Sequence, residues 1–398
     1  MSQSTEDLPP PQKLKLLARF HHLLERLAPA GTERDTAGNR EFLYSHYAAL
    51  ILFGYFNPAM NSLRGLTQAS TIKAVQKKLG VPRVSRGSFS ESQAVFDPQL
   101  LVPIVQELLA EVPPTQSGPG PHRRIDPVIP PELVARLVAV DGSALATLPT
   151  LVHRASEWKL HLQFRPLQGL PVKATVARTD EADERDVLEK SLESGCIYIA
   201  DRGYERYALF NRIVNAKSEY VIRTQDRPVT VVDQRPLTAA ARAARVIDDA
   251  VVTLSPNRPQ KAVAAVTHRV RRIVLAKREQ GRQRSDRTAA ETVVLMTSLV
   301  DVPAEVVAAI YELRWSIELF FRFFKQLLGS RRLFSDQPNA VAIQVYCALI
   351  AGLLLGRLTG GRVTRDHLRL FQLYLSGWAD DDELLAGLPK APAKNNTS

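Results

Sequence analysis

The chain has 398 residues, 45% of them hydrophobic and 23% charged, the composition of an ordinary globular protein long enough for two or three domains. Its 52 Lys and Arg outnumber its 41 Asp and Glu, a net charge of +11, which favours a polyanionic partner, nucleic acid first and an anionic membrane second. Cys196 and Cys347 stand far apart without metal-binding spacing, which argues against a disulfide framework or a zinc site and suits a reducing cytoplasm.

Residues 1–12, "MSQSTEDLPPPQ", are polar and Pro-rich, carry no secretory pattern and predict a disordered tail. Lys13 to Ala28 and Phe42 to Phe56 have helical patterning. Between Asn61 and Ser90 stand six cations, Arg64, Lys73, Lys77, Lys78, Arg83 and Arg86, and no acid. "STIKAVQKKLG" predicts a helix stopped by Gly80. "SFSESQAVF" predicts another, opened by a Ser88-x-x-Glu91 capping box and ended before Asp97-Pro98. Short helices with clustered cations suit a helix-turn-helix-like reader of DNA, and they also suit a merely solvated basic face. Residues 13–120 are the expected helical DNA-binding domain. The Pro- and Gly-rich stretch from Glu111 to Glu132 reads as a linker or a long surface crossing and marks a domain boundary.

Strand and helix patterns then alternate, which predicts an α/β domain over 133–335. "ARLVAVDGSA" is an apolar strand ending at Asp141, and "KLHLQFRPL" with "LPVKATVART" predicts a hairpin about Gln168-Gly169. "DERDVLEKSLESG" is a helix stopped by Gly195, "CIYIADRGY" a strand ending at Asp201, "ERYALFNRIVNAK" a helix and "EYVIRT" a strand. From about 225 to 290 short β-like runs predict a β-rich insertion. Its segment Arg269 to Arg287 holds eight cations against Glu279 and Asp286, which predicts a basic surface. "ETVVLMTSL" returns to a strand. Residues 336–398 are the expected C-terminal helical region and tail, with "VAIQVYCALIAGLLLG" a buried helix, short for a membrane span.

Asp141 and Asp201 each follow an apolar strand and precede a Gly turn, where α/β folds hold ligands; ordinary turn residues look the same. "YELRWSIELFFRFFKQLLG" adds a third acid. On a continuous helix at about 100° per residue, Tyr311, Arg314, Glu318 and Lys325 share an arc of about 60°, beside the apolar Leu313, Ile317, Phe320, Phe324 and Leu327. A Glu on a largely buried helix needs a partner. Arg314, four residues earlier, is one choice. A metal ion is the other: three converging carboxylates suit Mg²⁺ or Mn²⁺ and phosphodiester chemistry. Trp315 either packs in the core or stacks on an unpaired base.

At these residues the chain resembles the DDE-class transposases of bacterial insertion sequences, the insertion-sequence-four group. That group carries Asp-Gly-Thr/Ser and Asp-Arg-Gly-Tyr/Phe motifs and a Tyr-x2-Arg-x3-Glu-x6-Lys signature. Here these are Asp141-Gly142-Ser143, Asp201-Arg202-Gly203-Tyr204, and Tyr311, Arg314, Glu318 and Lys325. The resemblance implies an α/β, RNase H-like catalytic core with the β-rich insertion, preceded by the α-helical N-terminal DNA-binding domain. It implies Asp141, Asp201 and Glu318 as the catalytic, metal-binding triad for Mg²⁺ (Mn²⁺ in its place), and Tyr311, Arg314 and Lys325 as holders of transposon-end DNA. The implied activity is cut-and-paste transposition. The implied partners are double-stranded DNA, both terminal inverted repeats and target, and a second copy of the chain in the DNA complex. No membrane is implied; the expected place is the bacterial cytoplasm, at the nucleoid. A tyrosine or serine recombinase would leave the three acids unexplained. A non-catalytic DNA-binding regulator derived from a transposase is the alternative, which loss of an acid would favour; all three are present.

Overall fold

The computed structural model describes residues 23–25, 27, 40–57, 60, 62–111, 129–146, 157–167, 169–180, 183–254, 265–276, 292–327, 333, 335, 337–359, 363–375 and 378–388. The expected tail 1–12, the linker residues 112–128 and the cations Lys277, Arg278, Arg282, Arg284 and Arg287 lie outside them. The chain divides into two units, one of Met1–Pro114, Leu145–Trp158 and Phe321–Ser398, the other of Thr115–Ala144 and Lys159–Phe320.

The first unit is helical. Helix α1 (Tyr44–Phe56) is apolar and buried along most of its length; Tyr44 stacks on Phe96, and Tyr47 packs on Phe89, each pair with ring centroids 4.7 Å apart. Three short helices follow, α2 (Leu63–Ala69), α3 (Lys73–Leu79) and α4 (Arg86–Val95). Gly80 ends α3 as expected, at φ 63° in the left-handed region that glycine adopts without a Cβ penalty. The start of α4 differs from the expectation. Ser85, in extended conformation, accepts the Ser88 N–H at 3.0 Å, so Ser85 is the cap and Ser88 already lies in the first turn. Buried Ser70 ties this region together: its hydroxyl donates to the Thr67 carbonyl at 2.6 Å and accepts the Val84 N–H at 3.0 Å. Helix α5 (Val102–Glu111) follows.

The second unit holds a sheet. After the single turn α6 (Pro131–Val134) come β1 (Leu137–Ala146), β2 (Glu157–Arg165), β3 (Leu170–Arg178), α7 (Glu184–Glu189), β4 (Ile197–Ala200), α8 (Tyr207–Asn215), β5 (Glu219–Thr224), β6 (Thr230–Gln234), α9 (Ala239–Ala243), β7 (Val246–Thr253), β8 (Val270–Ala276) and β9 (Thr292–Thr297). The sheet has nine strands in the order β3-β2-β1-β4-β5-β9-β8-β7-β6. β1, β4 and β5 are parallel neighbours, and β9, β8, β7 and β6 continue from β5 as an antiparallel run. The connection between β2 and β3 is too short for a parallel crossover, so these two form the expected hairpin, with Gly169 at φ 70°. The inserted β segment thus extends the sheet.

Strand alternation gives the central strands two faces. Val138, Val140, Tyr198, Ala200, Tyr220 and Ile222 share one apolar core with Leu188 of α7 and Leu209, Phe210 and Ile213 of α8. The other face carries Leu137, Ala139, Ile197, Ile199 and Val221, all buried, and receives α10 (Ala304–Glu312) against β4 and β5.

Of the three described cations of the insertion's basic run, two pair with acids rather than face solvent. Arg271 is 2% exposed. It holds Asp249 of β7 with two bonds of 2.7 and 2.6 Å and also donates to the carbonyls of Leu299, Val300 and Val302. Arg272 pairs with Asp248 at 2.7 Å and Asp226 at 2.8 Å. A buried guanidinium needs such partners, and cross-strand neighbours supply them; among the described cations of that run only Arg269 is exposed.

Helix α11 (Trp315–Leu327) follows α10, and α12 (Pro338–Leu358), α13 (Arg365–Leu375) and α14 (Asp381–Gly387) complete the helical unit. α12 packs against α1 and α5, and the Tyr55 hydroxyl donates to the Gln344 carbonyl at 2.6 Å. Pro338–Arg357 is long and apolar enough to cross a membrane by length and composition, longer than the apolar run alone, yet 83% of its window is buried. It is a core helix, as its sequence led us to expect.

Candidate active site

The site is built on the second unit's parallel strands. β1 pairs with β4 from Leu137↔Ile197 to Ala139↔Ile199, and β4 with β5 from Ile197↔Glu219 to Ala200↔Ile222. Carrying both registers forward sets Asp141, Asp201 and Arg223 side by side in one row, on the face that receives α10. β1 does not end at Asp141, as the Gly turn suggested, but continues to Ala146. Asp201 does end its strand and caps a single 3-10 turn, Arg202–Tyr204. Each aspartate is held by the next residue's backbone: Asp141 Oδ1 accepts the Gly142 N–H at 2.8 Å, and Asp201 Oδ1 accepts the Arg202 N–H at 2.8 Å.

The signature segment is not one helix. α10 ends at Glu312 and α11 begins at Trp315. Between them the N–H groups of Leu313, Arg314, Ser316 and Ile317 bond three residues back, to Ile310, Tyr311, Leu313 and Arg314. The Ser316 hydroxyl donates to the Leu313 carbonyl at 2.7 Å, which satisfies an acceptor that a regular helix would have used. The tightened turn brings Tyr311, Arg314 and Glu318 to the row of acids. Tyr311 donates to Asp201 Oδ1 through a long 3.4 Å bond. Arg314 Nη1 is 2.6 Å from Glu318 Oε1 and 3.9 Å from Asp201 Oδ2, with its guanidinium carbon 5.7 Å from the Tyr311 ring centroid. Arg223 Nη1 lies 3.5 Å from Asp201 Oδ1.

The electrostatics follow from this crowding. Burial pushes the Asp141 carboxyl up to about 6; the Gly142 N–H and Arg314 pull it down, and Glu184 and Glu318 push it further up. Burial raises the Tyr311 hydroxyl to about 12. Burial works to lower the Arg314 pKa, but the charges of Tyr311, Asp201 and Glu318 outweigh it and the net shift is upward.

Among the described residues no group of three or more His, Cys, Asp or Glu is close enough to hold a metal ion. Asp141 and Asp201 share one row, and Glu318 acts on Asp141 through its charge, but the Arg314 guanidinium stands between Asp201 and Glu318. The donor types, three carboxylates, are those that magnesium and manganese take, and the position between Asp201 and Glu318 is held by that guanidinium.

The remaining expected residues make no contact that the cluster's geometry uses. Lys325, seven residues after Glu318 on α11, is exposed. Trp315 is 45% exposed, so its packing in the core is corrected: Ile317, Phe321 and Phe324 carry the buried side of α11, while Phe320 packs on Phe164 of β2 at 5.2 Å. Arg64, Lys73, Lys77, Lys78, Arg83 and Arg86 are all exposed, in the helical unit. Arg223 and Glu184 escaped the sequence reading. Only the sheet register reveals Arg223, and Glu184 lies in an acid-rich helix start that looks like a solvated face.

Comparison with known proteins agrees with the motifs. The chain is similar to a Sinorhizobium fredii protein named as transposase y4zB, 32% identical over 54% of this chain and 58% of that one, so the match spans less than two thirds of that relative. It is similar to a protein named for the transposase of an insertion sequence element of Geobacillus stearothermophilus, 26% identical over 69% of this chain and 68% of that one. Among solved structures it is similar to a piggyBac transposase in a synaptic complex with hairpin DNA, at 10% identity and TM-score 0.44 over 96% of this chain and 87% of that one, a likeness too slight to carry an argument. The family described as Transposase DDE domain matches residues 132–354. That span covers more than half of the chain and contains Asp141, Asp201 and Glu318, and the protein belongs to the family of transposases with a DDE domain.

Proposed function

We propose that the protein cleaves DNA at transposon ends and joins the freed ends to target DNA, with Asp141, Asp201 and Glu318 as its catalytic acids on an RNase H-like core. The observation that carries this is the meeting of Asp141 and Asp201, side by side on adjacent parallel strands, with Arg314 and Glu318 from the turn and helix that follow α10. The strand order β3-β2-β1-β4-β5, with β1, β4 and β5 parallel, supports the core. Bound between the acids, magnesium or manganese would supply Lewis acidity to the phosphodiester and to the attacking oxygen. The chain's own groups do the rest. Asp141 and Asp201 are fixed by the backbone N–H groups that follow them. Arg314, with a fork suited to phosphate oxygens, exchanges Asp201 and Glu318 for the phosphate beside them. Tyr311 stays on Asp201 and orients it. Hydrolysis adds water across one phosphodiester and leaves a 3′-hydroxyl; that hydroxyl then attacks a second phosphodiester and displaces its 3′-oxygen. The protein works in the cytoplasm on double-stranded terminal repeats, as two copies.

The test is cleavage of labelled terminal-repeat duplex by the full chain. Cleavage is expected with magnesium or manganese and none with a chelator, while DNA binding persists. A non-catalytic regulator would bind the same duplex and cut it under neither condition.

The same reading gives end recognition to the helical unit. Lys73 and Lys77 stand one turn apart on α3, and both are exposed together with Lys78. Lys77→Glu with Lys78→Glu is expected to weaken repeat binding by about tenfold or more at moderate salt and to flatten its salt dependence by roughly two counterions. An unchanged affinity and salt slope, measured by titration of the full chain, would place recognition elsewhere.

A further inference from the structure

The two Asp motifs are joined by a side chain that belongs to neither. Glu184 opens α7 and forms an ion pair with Lys159 of β2; the Lys159 and Glu184 side chains are 24% and 21% exposed. A Cβ on Gly142 would lie 2.8 Å from Glu184 Oε1 and 2.8 Å from Lys159 Cε, and a Cβ on Gly203 would lie 3.1 Å from Glu184 Oε2. Each carboxylate oxygen therefore abuts one motif glycine. Backbone freedom does not explain these glycines, because the glycines at positive φ are Gly80, Gly169 and Gly195 among the described residues. Space explains them: a side chain at either position would displace the Glu184 carboxylate.

Alternation on β1 points Gly142 away from the face of Asp141, so Glu184 lies beneath the acids. What it touches is the backbone that holds them. The Gly142 N–H bonds Asp141, and Arg202, next to Gly203, bonds Asp201. We propose that Glu184, locked by Lys159, is a positioning residue for both catalytic aspartates: it fills the space under the two motif turns and fixes the N–H groups that aim their carboxylates. This rests on the cleavage reading above.

The experiment uses the full chain with Glu184→Ala, Glu184→Gln, Gly142→Ala and the double variant Gly142→Ala with Glu184→Ala. It measures terminal-repeat affinity in chelator, single-turnover cleavage with magnesium, and manganese affinity by calorimetry. Glu184→Ala is expected to leave DNA affinity unchanged, to slow cleavage about tenfold to hundredfold, as sub-ångström misplacement of catalytic groups does, and to weaken manganese binding. Glu184→Gln, of equal size and still bonded to Lys159, recovers most of both. Gly142→Ala is slower than Glu184→Ala, and the double variant returns to the Glu184→Ala rate, because removing the carboxylate also releases the flexible Lys159 chain it holds, and the two together make room for the methyl. Should Glu184→Ala melt below the assay temperature, Gly142→Ala and Glu184→Gln carry the comparison. A Glu184→Ala protein with wild-type rate and manganese affinity overturns the inference, as does a double variant slower than both single variants. A wild-type protein that cleaves nothing overturns the cleavage reading instead; manganese affinity then decides, and equal values for wild type and Glu184→Ala overturn the inference.

Discussion

Asp141→Asn is expected to abolish end cleavage and at the same time to raise the melting temperature of the free protein at neutral pH. The two effects have one cause. Burial has pushed the Asp141 carboxyl up to about 6 from 3.8, so the folded state prefers its proton more than the unfolded state does. Stability from that preference is fully present below the unfolded value and is lost as pH rises through about 6. At neutral pH the ionised carboxylate is a burden that an amide does not carry. Asn keeps the size and an oxygen for the Gly142 N–H, but it cannot offer a charged ligand. Cleavage should fall by about 10²–10³-fold or more, the scale for removing one charge-stabilising group, with terminal-repeat affinity in chelator unchanged. Single-turnover cleavage and melting across pH 4–8, with the melting difference between Asp141→Asn and the wild type growing up to about pH 6 and level above it, provide the check. A variant that still cleaves at the wild-type rate removes Asp141 from the chemistry.

Asp201→Asn should lose cleavage equally but behave otherwise in the melt. Arg223 at 3.5 Å, Arg314 at 3.9 Å and the Tyr311 hydroxyl at 3.4 Å all face its carboxylate. Replacing it leaves two guanidiniums with less charge to meet, so its melting temperature should fall while that of Asp141→Asn rises. Neighbouring acids in one row thus differ in what the fold gains from them.

Much of this site could be read without coordinates, and the parts that could not share a reason. Asp141 and Asp201 stand out because apolar strands deliver them to Gly-containing motifs, and Glu318 because an acid on an apolar helix needs a partner. The turn at Leu313–Arg314 gives no such signal. "YELRWSIE" contains neither Gly nor Pro, and the break shows only in the N–H groups that bond three residues back and in the Ser316 hydroxyl on the Leu313 carbonyl. Arg223 becomes visible only when β5 is known to lie beside β4 in register. Arg271 looks like part of a basic surface because charge counting cannot see Asp249, 22 residues away along the chain and bonded to it across the sheet. Glu184 hides among acids for the same reason: its meaning comes from two glycines in distant motifs. Local pattern reveals which residues are unusual, and strand pairing decides which unusual residues meet.

Arg314→Ala and Lys325→Ala, compared side by side, should separate two kinds of cation within the same signature. Arg314 is 14% exposed in its side chain and 2.6 Å from Glu318, and among the described residues its buried Nε has no partner. Removing it breaks a charge-assisted bond of about 1.5–3 kcal/mol and leaves Glu318 partly buried without its cation, so the melting temperature should fall by several degrees, at about 2–4 °C per kcal/mol for a unit of this size. Cleavage should fall further than stability explains, by about 10²-fold at a temperature where the variant is folded, because the guanidinium also serves the phosphate beside the acids. Arg314→Lys should recover part of the stability and little of the cleavage, since an ammonium lacks the planar fork. Lys325 is exposed on α11, so its loss should leave melting unchanged, weaken terminal-repeat binding and lower the salt slope by roughly one counterion. If Arg314→Ala loses cleavage only in proportion to its folded fraction, Arg314 is a counter-ion to Glu318 and no more. If Lys325→Ala binds and cleaves as the wild type does at every salt concentration, the last residue of the signature does not touch the DNA.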